Sequence, residues 1–273
     1  MLSVINKLQK VFDGRNINYI GWDFDDTLID TREVFNKALI DAGSFLLFGK
    51  SVAEINDDKK ILEAITLKKD VIDLVIRSFR PEFGVNPIMM ELAVKTTAKI
   101  MGIDSDEERI YLAINRVKAI YSIDIPDTFD GAIEAVDLIN KCNVHSYLIT
   151  HAGSDWTWYK RLKTGFVGKF EKVVCLSVDL PKSIQLSNFF KTVDPSGFMM
   201  IGDNFSADIA PIIKAGGYGV WVTNGRSKTF RVEPGFKDDS LIDQSKIIEV
   251  DSVGKVIQAL IQRNAGIRVK VVK

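Results

Sequence analysis

Six apolar runs of strand length punctuate this chain: Ile17 to Trp22, Val144 to Ile149, Lys172 to Leu176, Phe198 to Ile201, Val220 to Val222 and Ile247 to Val250. Between the later runs lie segments with helical spacing, at Ala132 to Lys141, Trp156 to Lys163, Lys182 to Phe190, Asp208 to Ala215 and Val253 to Arg263. Runs that are apolar throughout belong to strands buried on both sides, and a strand that returns through a helix lies parallel to the next. The chain is therefore read as α/β, a parallel sheet covered by helices on both faces.

Residues 31 to 127 interrupt this alternation. Their apolar positions recur with helical spacing over Val34 to Phe48, Asp58 to Phe79, Pro87 to Met101 and Asp106 to Ile123, and Pro126 marks the return to the sheet. The expected organisation is a core domain whose first part is 1–30, an all-α cap over 31–127, and the rest of the core over 128–273. The valine-rich basic tail from Gly266 to Lys273 reads as solvated chain.

Composition narrows the function. Lys plus Arg and Asp plus Glu each total 36, so no net field draws the chain to nucleic acid or an anionic membrane. Its opening residues lack the continuous apolar region of a secretory signal, and no apolar stretch is long enough to span a bilayer. Cys142 and Cys175 are the only cysteines and sit in separate apolar segments, as buried thiols do in a reducing compartment. The expectation is a cytoplasmic protein acting on a small molecule. With only His145 and His151 besides, a structural zinc site is not expected.

Ligands of open parallel sheets bind beyond the carboxyl ends of the strands. Residues with chemical capacity stand at those ends: Asp23 after Trp22, with Asp25 and Asp26 close behind, Thr150 after Ile149, and Asp203 after Ile201-Gly202. Three carboxylates crowded at the end of a buried strand resist joint ionisation unless a cation or a shared proton relieves them. The cluster reads as a metal and acid site.

The run INYIGWDFDDTL resembles the first motif of the haloacid dehalogenase-like (HAD) superfamily, DxDxT after an apolar strand, with Asp23 and Asp25 as its acids. HSYLIT resembles the second motif, a hydroxyl at a strand end, here Thr150. Lys182, just after Pro181 at an apparent helix start, stands where the family has a basic residue. A cation there opposes the helix dipole by about 0.3–1 kcal/mol, which suggests a compensating use. MMIGDNFSADIAPIIKAGG resembles the fourth motif, GDxxxxD, with Asp203 and Asp208. The family's carbon–halogen branch lacks the second acid of the first motif.

The resemblance implies a Rossmann-like core with an inserted cap, and a Mg²⁺-dependent phosphatase acting on a small-molecule phosphate monoester. It gives Asp23 as the nucleophile that forms an aspartyl-phosphate and Asp25 as the general acid and base. Thr150 and Lys182 hold the phosphoryl oxygens, while the Asp23 carboxylate, the Asp25 backbone carbonyl and Asp203 ligate the metal. Asp208 orients Lys182 or a bound water. His151 stands where many members carry Asn and is a possible substrate contact. A phosphomutase or phosphotransferase uses the same residues, and a silent relative binding a phosphorylated ligand is the reading from outside enzymology. Retention of Asp25, Lys182 and Asp203 argues against silence.

Overall fold

A computed structural model describes residues 1–55, 59–83, 87–225 and 242–264. The tail expected to be solvated lies outside these residues. The chain divides into two units, Met1–Asp30 with Asp127–Lys273, and Thr31–Pro126.

The first unit holds six strands, β1 Tyr19–Trp22, β2 His145–Thr150, β3 Lys172–Cys175, β4 Phe198–Gly202, β5 Tyr218–Val222 and β6 Ile247–Val250. All neighbours are parallel, in the order β3-β2-β1-β4-β5-β6. This is the Rossmann-like α/β fold. Chain order runs outward from β1 in one direction, then resumes on its other side at β4. The β1–β4 boundary is thus the switch point where such sheets open a ligand crevice.

The side chains of β4 alternate between two cores. Met199 and Ile201 join Ile20, Trp22, Leu148 and Val220 on one face, while Phe198 and Met200 join Ile149, Leu186 and Ile212 on the other. Both faces being buried explains why the strands read as unbroken apolar runs; each such side chain contributes about 1.5–3 kcal/mol on burial. Gly21 of β1 keeps the second face open. A Cβ there would lie 2.7 Å from the Phe198 ring and 2.9 Å from the Met200 sulfur.

Helices α1 Leu2–Asp13, α6 Ala132–Ile139 and α10 Val256–Asn264 cover the first face, and α8 Lys182–Phe189 and α9 Ala210–Lys214 pack with the second core. Helix α1 was not expected. Its polar residues conceal an apolar stripe of Leu8, Val11 and Phe12, all buried. Helix α7, Ser154–Thr164, follows β2. The segment expected as one helix from Asp208 begins earlier, as a π-helical turn Phe205–Ile209 ahead of α9, because Asn204 caps it by accepting from the Ala207 amide.

The second unit is helical in its described parts: α2 Thr31–Phe48, α3 Lys59–Phe83, α4 Pro87–Ile100 and α5 Glu107–Ala119. Its core is Leu39, Leu46, Ile72, Met90, Val94 and Val117 with their neighbours. Asp106 is the N-cap of α5, its carboxylate accepting from the Arg109 amide, which places the helix start one residue beyond the expected Asp106. Where the insertion leaves and re-enters the sheet unit, the Asp30 amide donates to the Asp127 carbonyl at 2.8 Å. Arg77 pairs with Asp73 on α3.

Candidate active site

The switch point brings β1 and β4 side by side, with Trp22 opposite Ile201. One step further the Asp23 amide donates to the Ile201 carbonyl at 2.8 Å. Ends of neighbouring parallel strands share one rim, so Asp23 and Asp203 meet although 180 positions separate them. Carboxylate oxygens of Asp23, Asp203 and Asp208 lie within 4.8 Å of one another, and all three residues are buried.

Each acid is held by its own partners. Asp23 Oδ2 accepts from the Thr27 hydroxyl at 2.8 Å, and Oδ1 accepts from the Lys182 ammonium. The turn between them carries Asp26 at φ 63°, and Asn224, at the end of β5, donates to the Asp26 carbonyl at 2.8 Å. Asp203 is steadied through its backbone, its carbonyl accepting from Trp221 Nε1 at 2.8 Å. Asp208 Oδ2 accepts from the Asn204 amide at 3.0 Å, while Oδ1 faces Lys182 Nζ at 2.7 Å without the alignment of a hydrogen bond. Gly202 makes this possible: a Cβ on it would lie 2.6–2.7 Å from the side chain of Asp208.

Lys182 begins α8, and the loop ahead of it is tied from two directions. His151 Nε2 lies 2.7 Å from the Ser177 carbonyl and 2.9 Å from that of Leu180, so this nitrogen carries the proton and donates to both. Gln185 Nε2 donates to the same two carbonyls. His151 thus fastens the loop that leads into α8.

Burial pushes the Asp23 carboxyl up to about 7; Lys182 pulls it back, and the charges of Asp208 and Asp25 raise it again. Burial lowers the pKa of Lys182, but Asp208 and Asp23 more than reverse this and the net shift is upward. The two shifts agree because Lys182 has two carboxylates to itself, while Asp23 shares one ammonium with a competing acid.

Asp25 lies apart from the triad. Its Oδ2 accepts from Thr150 Oγ1 at 3.4 Å, and Oδ1 accepts from the ammonium of Lys160 on α7. Lys160 was not anticipated. A signal exists in the sequence, for the buried face of α7 is Thr157, Lys160 and Thr164, a polar stripe at helical spacing where an apolar one belongs. Asp23, Asp203 and Asp208 thus form the acidic triad, Lys182 pairs with two of its members, and Thr150 contacts Asp25.

The sequence pattern of the haloacid dehalogenase-like hydrolases matches residues 17–216, the span that carries these side chains. The chain belongs to this hydrolase family. No curated protein matches it. Among solved structures, a family hydrolase from Xanthomonas campestris is similar at TM-score 0.65 and 18% identity, over 93% of this chain and 95% of that one. Bacillus subtilis YfnB, described as a HAD-hydrolase and bound to magnesium, is similar at 0.58 and 15% over 89% and 98%. The L-2-haloacid dehalogenase of Xanthobacter autotrophicus is similar at 0.57 and 13% over 89% and 97%. Likeness at these identities concerns the fold.

Proposed function

We propose that this HAD-family hydrolase cleaves a small-molecule phosphate monoester through a phosphoryl-Asp23 intermediate. The observation that carries this reading is the separate placement of Asp25. It is an acid beside the nucleophile's rim, held by Lys160 and Thr150 and outside the carboxylate triad. A departing halide takes no proton, so dehalogenation has no use for an acid there. A departing alkoxide requires one.

In the first step an Asp23 oxygen attacks phosphorus in line, the bond from phosphorus to the leaving oxygen breaks, and Asp25 gives its proton to that oxygen. In the second, water attacks the phosphoryl group, Asp25 takes the water's proton, the bond to Asp23 breaks, and inorganic phosphate departs with the carboxylate restored. Thr150 and Lys182 hold the phosphoryl oxygens, and Thr27 keeps Asp23 oriented through Oδ2.

The triad fits a divalent cation. Carboxylate oxygens of the three buried acids lie within 4.8 Å of one another, and carboxylates so crowded repel unless a cation joins them. An all-oxygen donor set suits Mg²⁺, with the Asp23 carboxylate, the Asp25 carbonyl and Asp203 as ligands and Asp208 orienting Lys182 or a bound water. When bound, Mg²⁺ offsets the charge shared by Asp23 and the incoming phosphate, and YfnB, of the same fold, binds magnesium.

The test is a phosphate-release screen of the purified protein with Mg²⁺ over sugar phosphates, nucleotides, phosphoglycolate and amino-acid phosphates, alongside a halide-release assay on 2-haloacids. Phosphate release that EDTA abolishes supports the reading. Halide release without phosphate release overturns it.

A further inference from the structure

Among the described residues, Lys160 is a buried cation of the site that takes no part in the bond-making steps just described. Its side chain is 2% exposed. The ammonium donates to Asp25 Oδ1 and lies 5.3 Å from the centroid of the Phe24 ring, one residue from the acid it holds. Helix α7 fixes its backbone, and the Thr164 hydroxyl donates to the Lys160 carbonyl at 2.7 Å.

Stability does not account for such a lysine. Withdrawing an ammonium from water carries a penalty that its attraction to a single carboxylate at best offsets, and apolar replacements of buried ion pairs are often neutral or stabilising. An arrangement that does not add stability points to a use in geometry.

That use follows from the two oxygens of Asp25. Lys160 occupies Oδ1, while Oδ2 is turned to the Thr150 hydroxyl, 3.4 Å away at the end of β2, where the phosphoryl group is expected. A carboxyl protonated on Oδ2 still accepts from Lys160 through Oδ1. The same contact therefore holds the side chain in both protonation states, before the proton leaves and after it returns.

We propose that Lys160 is a positioning residue for Asp25, clamping Oδ1 so that Oδ2 alone exchanges the proton with the leaving oxygen and the attacking water. The inference rests on the phosphatase reading. Lys160 touches neither the substrate nor the carboxylate triad in this account; it acts through Asp25.

The test is a leaving-group series. Aryl phosphates from p-nitrophenyl to p-methoxyphenyl are hydrolysed with Mg²⁺ by the wild-type protein, Lys160→Met, Asp25→Asn and the double variant, and log kcat/KM is plotted against leaving-group pKa. Asp25→Asn steepens the plot because the poorer leaving groups lose their proton donor. Lys160→Met is expected to steepen it in the same sense. The loss should be about 10- to 100-fold for the p-methoxyphenyl ester and about 3-fold or less for the p-nitrophenyl ester, and the double variant should be no slower than Asp25→Asn.

A parallel displacement of the whole plot by Lys160→Met, or a further loss in the Asp25→Asn background, overturns the inference and leaves the phosphatase reading standing. Absence of hydrolysis by the wild-type protein removes the reading and the inference together. Should Lys160→Met fail to fold, a crystal structure of the wild-type protein with Mg²⁺ and beryllofluoride decides. Lys160 on Asp25 Oδ1, with Oδ2 toward the leaving-group side, supports the clamp; Asp25 swung away from Lys160 refutes it.

Discussion

Lys182 Nζ lies 2.7 Å from Asp208 Oδ1, a carboxylate oxygen buried in the sheet unit. The relationship gives Asp208 two tasks. It supplies the charge that keeps a lysine ionised at the start of α8, against the helix dipole, and it adds a third carboxylate to the acidic triad. Replacing it by Asn retains the acceptor for the Asn204 amide and removes only the charge. Asp208→Asn is expected to weaken Mg²⁺ binding by about 10- to 100-fold with the fold intact, as other partners of metal ligands do. Calorimetric titration of Mg²⁺ measures it.

Gly202 carries a second prediction. A methyl group there would sit 2.6–2.7 Å from Asp208 Oδ2, Cβ and Cγ, a separation that real contacts do not reach. Asp208 therefore has to move. Gly202→Ala is expected to destabilise the protein by about 1–3 kcal/mol and to reduce the gain in Tm on adding Mg²⁺. Thermal denaturation with and without the ion reads both effects; an unchanged Mg²⁺ response would show that Asp208 does not need this cradle.

The Asp23 shift sets a pH dependence for the metal-free protein. The carboxyl rises from 3.8 to about 7, so between those values the folded chain keeps a proton that the unfolded chain has released. Stability from this group therefore falls as pH increases from about 4 to about 7 and is level outside that window. In EDTA, the wild-type Tm should drop relative to that of Asp23→Asn across the window. Mg²⁺, which favours the ionised form, should stabilise the wild-type protein more at pH 8 than at pH 5. Equal stabilisation at both would place the ion elsewhere.

Much of this site could be read before the fold was known, because strand ends are marked by a change of chemistry. Asp23, Thr150 and Asp203 each follow an apolar run, and parallel pairing brings such ends to one rim whatever the distance in sequence. The side chains that steady the site were harder to see. Lys160 lies in a helix of mixed polarity, where its burial depends on which face turns to the sheet, and Asn224 and Trp221 act through backbone carbonyls that no side-chain pattern marks. Helix α1 was hidden for a related reason: its apolar stripe, Leu8, Val11 and Phe12 with Val4 and Ile5 half-buried beside them, is interrupted by Asn, Lys and Gln. His151 is read at the site from its adjacency to Thr150; what its ring fastens, the loop before α8, leaves no mark in the sequence.

On the proposed reaction, Asp23 becomes phosphorylated during turnover. The most direct test is borohydride reduction of the protein quenched during turnover of a phosphate monoester with Mg²⁺, which converts an aspartyl-phosphate to homoserine, followed by peptide mass spectrometry. Homoserine is expected at position 23 and none in Asp23→Asn. Turnover with an unmodified residue 23, or with the label on another side chain, would contradict it.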